Sequence, residues 1–399
     1  MKRLLNRRTF IAFIGAYVVA YFSIDFVPLV LNDLTISRGL SISEAGFVVT
    51  FLTLAMAITS AVSVKFVARS RRAPIARIGL LVAGVAFAAA AFAPSAVLIA
   101  ACFALAGTGV GASIAAASAA LAATADPDAA TTTVTFINRA GAGLIITLLP
   151  FLGSDLAITL GALSVLMLIS SALVSGLPES PVHDLNTIQI STLDHERPWI
   201  AAALLIGVGA FIWCLSEDMV YAIAATVAID AAGVPEPQVG LVLSASMVGG
   251  IVGTLFSQPL QRLLKRRNAL VLTILIGSAS KILTLTATSP AMFATAMFIW
   301  GTAYAMTLIY IIGFAASIDA TGRTSTLVSS LYLAGFPLSP LVGGWLAEHV
   351  TAFEFSLCAA IPSTLVALLY LSTGNRIMNS AHSPTDHPSI EHAEENVRP

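Results

Sequence analysis

Long, continuously apolar runs recur along this chain and constrain its fold more than any other feature. Twelve of these runs are about 18 residues or longer, and a helix of roughly 20 residues crosses the ~30 Å hydrocarbon core of a bilayer. Only helices and closed barrels satisfy their backbone polar groups in lipid, and these runs lack the alternation of barrel strands. With 57% hydrophobic and 10% charged residues, the composition excludes a soluble globular protein. The sequence therefore predicts an all-α membrane protein with twelve transmembrane helices.

The predicted helices are numbered in chain order. Helix 1 is 9–31, helix 2 is 44–64, helix 3 is 74–93, helix 4 is 96–122, helix 5 is 132–153, helix 6 is 156–177, helix 7 is 199–228, helix 8 is 238–260, helix 9 is 268–288, helix 10 is 291–317, helix 11 is 324–347 and helix 12 is 351–373. They form two six-helix bundles, 1–177 and 199–373, joined by a polar linker, 178–198, which we expect to be cytoplasmic. The tail, 374–399, is rich in Ser, His and Glu, and we expect it to be disordered and cytoplasmic.

Basic residues fall almost entirely on one side of the predicted helices. If the N-terminus is cytoplasmic, 17 of the 20 Lys and Arg residues lie on the cytoplasmic side and only Arg38 lies opposite, with Arg139 and Lys281 inside helices. Loops rich in Lys and Arg stay in the cytoplasm during insertion. The pattern predicts a multi-pass protein of the plasma membrane (the inner membrane of a bacterial cell) with both termini cytoplasmic.

The second half of the chain repeats the first. Helix 2 begins with EAG at 44–46 and helix 8 with QVG at 238–240, an offset of 194 positions. Proline-bearing segments also recur, as LLPFLG at 148–153 and LSPLVGG at 338–344. The sequence predicts two six-helix halves of the same orientation, related by a pseudo-two-fold axis along the membrane normal. Because each pair of halves can enclose its own pathway, we expect a monomer.

Helix 1 carries an acidic residue within its apolar run. A carboxylate at this depth costs roughly 2.5–3.5 kcal/mol on insertion scales, so it normally faces a partner or a water-filled cavity. Tyr17, Tyr21 and Asp25 share one face of the helix, because they are spaced four residues apart. Two interpretations of Asp25 are open: a packing carboxylate bonded to a neighbouring helix, or a proton- or cation-binding group at a cavity.

A similar pattern stands in helix 7. Trp213, Glu217 and Tyr221 have the same spacing, and Asp218 lies 193 positions after Asp25. Adjacent residues of a helix point about 100° apart, so only one of the two acids faces a central cavity squarely. We assign Glu217 to the substrate, through its alignment with the aromatic residues, and Asp218 as the repeat partner of Asp25. All three acids are candidates for proton coupling.

Aromatic rings beside carboxylates favour an organic cation, because both attract positive charge. Tyr304 and Tyr310 on helix 10, with Trp300, extend the same argument, although such rings also serve as packing. Arg139 in helix 5 and Lys281 in helix 9 allow two interpretations. Either they neutralise buried acids across helices, or they bind an anionic substrate. The sequence shows no nucleotide-binding loop, catalytic triad or metal-ligand cluster, so we expect a protein that is not an enzyme, has no cofactor or metal, and binds no nucleic acid.

On these residues the chain resembles the major facilitator superfamily, and within it the twelve-helix drug:proton antiporters. Those antiporters carry an Asp followed three positions later by Pro in helix 1, as at 25–28 here. The basic end of the superfamily's loop between helices 2 and 3 survives, although Val67 stands at the position of its Asp. The candidate gating residues by this resemblance are Arg69, Arg71, Arg72, Arg262, Arg266, Pro150, Pro340, Gly343 and Gly344.

The resemblance implies a secondary active transporter that works by alternating access, with the proton gradient as its energy source. The pattern in helix 1 favours proton-coupled efflux of a small organic molecule. The substrate-binding candidates are Tyr17, Tyr21, Trp213, Glu217, Tyr221, Tyr304, Arg139 and Lys281. One alternative is a proton symporter that takes up a metabolite, with Arg139 and Lys281 binding an anion. The other is a membrane receptor or enzyme on the same fold.

Overall fold

The computed structural model describes residues 6–67, 71–124, 127–153, 155–179, 198–316 and 323–381. These residues form helices and short connections, and twelve of the helical segments are long and apolar enough to cross a membrane. The predicted fold class is confirmed. Because the chain crosses the bundle twelve times, helix 1 begins on the side where helix 12 ends. We call this the near side and the opposite side the far side.

Helix 1 consists of Arg7–Phe13, a π-helical segment Ile14–Val18, Val19–Asp25 and Val27–Arg38. Helices 2 to 6 are Ile42–Val67, Arg72–Ala91, Ala96–Ala122, Pro127–Leu148 with a 3₁₀ turn Leu149–Leu152, and Leu156–Leu173 with a turn Val174–Gly176. Helix 7 is Pro198–Ala222 followed by Ala224–Asp230, and helix 8 is Val239–Leu264 after a turn Glu236–Gln238. Helices 9 to 12 are Arg266–Leu285, Pro290–Ala316, Arg323–Gly335 continued as Phe336–Leu338 and Ser339–His349, and Ala352–Ala381.

Helices 1 and 12 end furthest beyond their predicted last residues, at 38 rather than 31 and at 381 rather than 373. Helix 1 continues past residue 31 to Arg38, because Asn32 and Asp33 are buried against neighbouring helices rather than solvated. It ends at Gly39, whose φ of 63° gives the left-handed conformation common after helix ends. Helix 12 continues to Ala381, so residues 374–381 are helical where the sequence predicted disorder. Residues 382–399 of the predicted tail lie outside the described part of the chain, as do 180–197 of the predicted linker.

Helix 1 is interrupted at the residue that follows its acidic group. Phe26 leaves the helical pattern, with φ −91° and ψ 0°, and Pro28 has no N–H to donate to the carbonyl of Ile24. Helix 7 is also interrupted, at Ile223 with φ −100° and ψ 5°, although no proline follows there. Helices 1 and 7 therefore each consist of two helical segments, which meet directly after Asp25 in helix 1 and five residues after Asp218 in helix 7.

The two halves meet on the far side through closely packed main chains. A Cβ built on Gly46 of helix 2 would lie 2.2 Å from the carbonyl oxygen of Pro340 in helix 11. A Cβ on Gly240 of helix 8 would lie 1.8 Å from the carbonyl oxygen of Ile146 in helix 5. We call these two contacts the far-side seal. The repeated tripeptides at 44–46 and 238–240 thus occupy equivalent places, because each supplies the glycine that lets two helices approach.

Side chains reinforce the seal between helices 2 and 11. Ser43 donates its backbone N–H to Glu348 at 3.0 Å, and its hydroxyl also bonds that carboxylate. Deeper in the bundle, the hydroxyl of Thr53 donates to the carbonyl of Pro337 at 3.0 Å. In the described residues, the extensive contacts between halves join helix 2 to helix 11, helix 5 to helix 8, and the far part of helix 1 to helix 7.

Candidate functional site

A cavity of about 420 Å³ lies between the two halves. Four helices of each half line it, namely helices 1, 2, 4, 5, 7, 8, 10 and 11. Met56 and Ser60 line it from helix 2 and Ile114 from helix 4, all on the near-side portion of their helices. Because the far-side seal closes the opposite end, the cavity occupies the middle and near-side part of the bundle.

Asp25 faces this cavity and is held by helix 5. Its carboxylate accepts a hydrogen bond from the side-chain amide of Asn138 at 2.9 Å and lies 3.4 Å from a guanidinium nitrogen of Arg139. The Arg139 side chain remains 33% exposed, and the same nitrogen lies 3.3 Å from the sulfur of Met247 in the other half. The expectation that Arg139 neutralises a buried acid is thus met in the geometry, because the acid and the cation form an ion pair at the cavity surface.

A hydrogen bond links the two halves at the same place. The hydroxyl of Tyr221 in helix 7 donates to the main-chain carbonyl of Asp25 at 2.8 Å. This bond joins the second half to the backbone of helix 1 directly before its interruption at Phe26. Tyr221 therefore lines the cavity and also forms a hydrogen bond that depends on the relative position of the two halves.

Asp218 is the acidic residue of helix 7 that lines the cavity. Its carboxylate accepts from the thiol of Cys214 at 3.2 Å and from the hydroxyl of Tyr304 at 3.4 Å. Tyr304 also shares a 2.7 Å hydrogen bond with Tyr332 of helix 11. In the part of the chain that the structure describes, no Lys or Arg lies within ion-pair distance of Asp218. Its negative charge therefore faces the cavity without a bound cation.

Aromatic side chains of the second half form one side of the cavity. Tyr221 and Trp300 stack with ring centroids 5.2 Å apart and planes 9° from parallel, and Trp300 contacts Tyr304 at 5.2 Å. Tyr332 continues this surface, and all four residues line the cavity. We call Tyr221, Trp300, Tyr304 and Tyr332 the aromatic wall. Asp218 lies against this wall, so rings and a carboxylate converge on one volume.

Glu217 faces away from the cavity, contrary to its assignment as the substrate ligand of helix 7. Its side chain is 1% exposed, and one oxygen lies 2.8 Å from the ammonium of Lys281, which is fully buried. Ser216 and Ser363 bond the same ammonium at 3.2 and 2.7 Å. Helix 7 is rotated so that Asp218 takes the cavity position. Lys281 pairs with Glu217 and does not line the cavity, which agrees with the first of its two interpretations, the neutralisation of a buried acid.

Replacing Lys281 with Ala should destabilise the fold itself. The change leaves the carboxylate of Glu217 buried without its cation, and breaking such a buried pair costs about 3–5 kcal/mol. We expect a markedly lower melting temperature for the purified protein in detergent, measured by fluorescence-detected unfolding. Arg262→Ala is the matched control, because Arg262 is exposed and exposed changes usually stay within about 0.5 kcal/mol. Equal melting of Lys281→Ala and the wild type would contradict the buried pair.

Other predicted residues lie outside the cavity. Tyr17 packs on Tyr21 with centroids 4.5 Å apart, and of the two only Tyr21 lines the cavity. Trp213 is buried behind the aromatic wall, 5.0 Å from Tyr304. Tyr310 bonds the carbonyl of Ser257 at 2.6 Å and is remote from the site.

Most of the candidate gating residues lie at the ends of helices. Arg71 precedes helix 3 in a left-handed conformation with φ 68°, and Arg72 is buried and donates to the carbonyls of Val67 and Pro178. Arg266 donates to the carbonyl of Gly313 at 2.6 Å, whereas Arg262 is exposed and Arg69 lies outside the described residues. Pro150, Pro340 and Gly344 lie at the far-side contacts between the halves, and Gly343 packs on helix 7.

Several residues of the site were missed from the sequence. Asn138 carried a signal, because it is a polar side chain within an apolar run, directly before Arg139. Tyr332 gave no signal, because it is not spaced three or four residues from an acidic residue in its helix. Ser216 and Ser363 gave none either, because serine is common in membrane helices. Their roles depend on which helices are neighbours, which only the fold reveals.

Comparisons with known proteins agree with this architecture. The family model described as Major Facilitator Superfamily matches residues 206–393. The crystal structure of the nucleoside transporter NupG superposes with a TM-score of 0.73 at 13% identity, covering 92% of this chain and 99% of that chain. The peptide transporter POT, as a mutant in complex with alafosfalin, gives a TM-score of 0.72 at 13% identity, covering 93% of this chain and 95% of that one. No curated protein sequence matches the chain.

These similarities differ in what they support. At such low identity the solved structures establish the shared fold and carry no information about the substrate. The family match adds sequence evidence over most of the second half. Residues 206–393 are thus similar to the Major Facilitator Superfamily, and the described chain shares the twelve-helix fold of the two solved transporters.

Proposed function

We propose that this protein exports a small amphipathic organic cation across the plasma membrane in exchange for protons. The observation that carries the proposal is the aromatic wall with Asp218 against it, because ring faces and a carboxylate both attract organic cations. Asp218 has no bound cation of its own within the described residues. A substrate cation supplies the charge that this carboxylate lacks.

Arg139 supports the same charge preference. It is the basic residue that lines the cavity, and it is already paired with Asp25 at 3.4 Å. The pair is close to neutral, so Asp218 remains as the net charge at the cavity surface. A cation is therefore favoured over an anion in this site.

Proton coupling is assigned to Asp25 and Asp218. Acidic residues that face water-filled cavities within membranes commonly relay protons in transporters. Protonation of Asp25 weakens its hold on Arg139, and protonation of Asp218 removes the charge that binds a cation. Proton and substrate then compete for one site, which is the property that an exchanger needs.

The direction follows from orientation and from the resemblance to drug:proton antiporters. The distribution of basic residues supports a cytoplasmic near side, and a cavity that is closed on the far side would then take its substrate from the cell. Opening of the far-side seal, with closure of the near side, would release that substrate outside. Rocking of the two halves about a central site is the movement proposed here.

Two probes of equal shape and opposite charge, tetraphenylphosphonium and tetraphenylborate, test the proposal by their binding, the first here and the second for the alternative below. Purified protein in nanodiscs should bind tetraphenylphosphonium, and Asp218→Asn should weaken that binding at least about tenfold, or ~1.4 kcal/mol. Tyr310→Phe is the matched control, because Tyr310 is buried away from the cavity. Isothermal titration against protein-free nanodiscs measures both. Unchanged affinity in Asp218→Asn would overturn the assignment.

Uptake of an anionic metabolite is the second candidate, because one third of the Arg139 side chain is exposed to the cavity. It predicts that tetraphenylborate binds specifically and that Arg139→Gln abolishes this binding. Preference of the wild-type protein for the phosphonium probe, with no specific binding of tetraphenylborate, would exclude an anionic substrate.

A further inference from the structure

In the part of the chain that the structure describes, the buried cluster around Glu217 and Lys281 is joined to the aromatic wall by one hydrogen bond. One oxygen of Glu217 pairs with Lys281 at 2.8 Å, and the other accepts from the indole N–H of Trp300 at 2.7 Å. The carboxylate thus bonds a cation in helix 9 with one oxygen and a ring of helix 10 that lines the cavity with the other. Both of its oxygens are occupied within the protein.

Neither charged residue of this cluster is free to meet a substrate. Lys281 and Glu217 are 0% and 1% exposed, and neither lines the cavity. The three N–H donors of the ammonium have three acceptors: Glu217, Ser363 and Ser216. A fully bonded ammonium has no remaining donor for a ligand. Within the described residues, the hydrogen bond from this cluster to the cavity lining is the one made by Trp300.

Trp300 depends on this bond for its position. The ring is packed between Tyr221 and Tyr304, at 5.2 Å from each. Its N–H is its only polar group, and a buried indole N–H needs an acceptor. A charged acceptor makes the stronger and more directional bond, and the ion pair with Lys281 holds that acceptor in place. Without it, the ring would turn to find another partner and would disturb its stack with Tyr221.

We propose that Glu217 and Lys281 are positioning residues, which fix the indole of Trp300 in the aromatic wall and neither bind the substrate nor carry the transported proton. This inference rests on the proposed function, since the wall is the binding surface for an aromatic cation. It removes Glu217 from the candidates for proton coupling and gives Lys281 a role that its burial permits. The affinity of the cavity for flat or aromatic cations then depends on two residues that no substrate touches.

Two double variants test this role. Glu217→Gln with Lys281→Met removes both charges and keeps an oxygen that accepts from Trp300. Glu217→Met with Lys281→Met has nearly the same size and lacks the acceptor. We expect the first to bind tetraphenylphosphonium within about threefold of the wild type and the second to bind at least about tenfold more weakly. In transport, the weakening should appear in KM, with kcat nearly unchanged.

The same comparison in a Trp300→Phe background shows whether the effect passes through the indole. A phenyl ring at this position has no N–H to donate, so the Gln and Met pairs should then bind within about twofold of each other. A tenfold difference that persists in this background would overturn the proposal. Loss of proton-driven transport in the Gln pair, with binding intact, would also overturn it, because Glu217 would then carry a proton.

A substrate-free measurement separates this inference from the proposed function. In a chain whose other tryptophans, Trp199, Trp213 and Trp345, are replaced with Phe, the indole N–H of Trp300 gives one proton resonance. We expect this resonance to move upfield in the Met pair, further than in the Gln pair, because the hydrogen bond is lost. Identical shifts in the two pairs would refute the positioning role even if the cation binds as proposed. Should the Met pair not fold, Trp300→Phe alone must weaken probe binding about tenfold, and adding the Gln pair must have no further effect.

Discussion

Replacing Asp25 with Asn is expected to abolish proton-driven transport while leaving a folded protein in the membrane. Asn keeps the size and a hydrogen-bonding oxygen for Asn138, but it neither exchanges a proton nor pairs with Arg139. Proteoliposomes with an imposed pH gradient should accumulate no more labelled cation than empty liposomes. Exchange of labelled for unlabelled substrate without a gradient should continue at raised substrate concentration, because that reaction needs no net proton movement, although the unpaired Arg139 weakens binding of a cation.

The matched control is Asp33→Asn in the same helix. Asp33 is also buried, and its carboxylate bonds the hydroxyl of Thr159 rather than facing the cavity. Its replacement should leave gradient-driven accumulation in place, so that a general effect of removing a buried acid is separated from the role of Asp25. Full accumulation by Asp25→Asn would remove Asp25 from proton coupling.

The second large effect is expected from alanine at the far-side seal. Gly46→Ala with Gly240→Ala adds two Cβ atoms that would lie 2.2 and 1.8 Å from carbonyl oxygens of the opposite half. A main-chain oxygen has no alternative rotamer, so the helices must separate. We expect the double variant to lose transport because its far side no longer closes.

Distances between spin labels would show this state directly. Cysteines at Phe92 and Phe353 place one label in each half at exposed far-side positions, once Cys102, Cys214 and Cys358 are replaced. The double variant should shift the distance distribution to longer values than the wild type shows. Gly161→Ala is the matched control, because a Cβ at Gly161 has no atom within 4 Å. An unchanged distribution in the double variant would show that the seal tolerates the added methyl groups.

The fold was accessible from the sequence because its signals are local. Each apolar run predicts one helix, and the similar tripeptides at 44–46 and 238–240 indicate the repeat. The predicted end of helix 1 was wrong because polar residues were taken to mark the end of the helix. Asn32 and Asp33 are polar but buried, since other helices enclose or bond their side chains. No run of residues in a single helix records that enclosure.

The site was less accessible, because its residues are set by helix rotation. Tyr221 lies four residues after Glu217 and three after Asp218, so both acids share its face at helical spacing. The stripe therefore could not distinguish the acid of the cavity from the acid of the buried pair. The partners distinguish them: Lys281 lies behind helix 7 and Tyr304 in front of it. Partner identity is a property of three helices together and has no local signature.

The two halves touch at the seal through glycines and carbonyl oxygens, whereas the cargo meets tyrosine, tryptophan and aspartate side chains elsewhere. Apart from Tyr221, which lines the cavity and also bonds the other half, the contacts that close the far side and the side chains that line the cavity are different groups. Substitutions in the cavity can therefore change which compound is bound without altering the far-side seal. An added methyl group at the seal, in contrast, should stop transport of every compound.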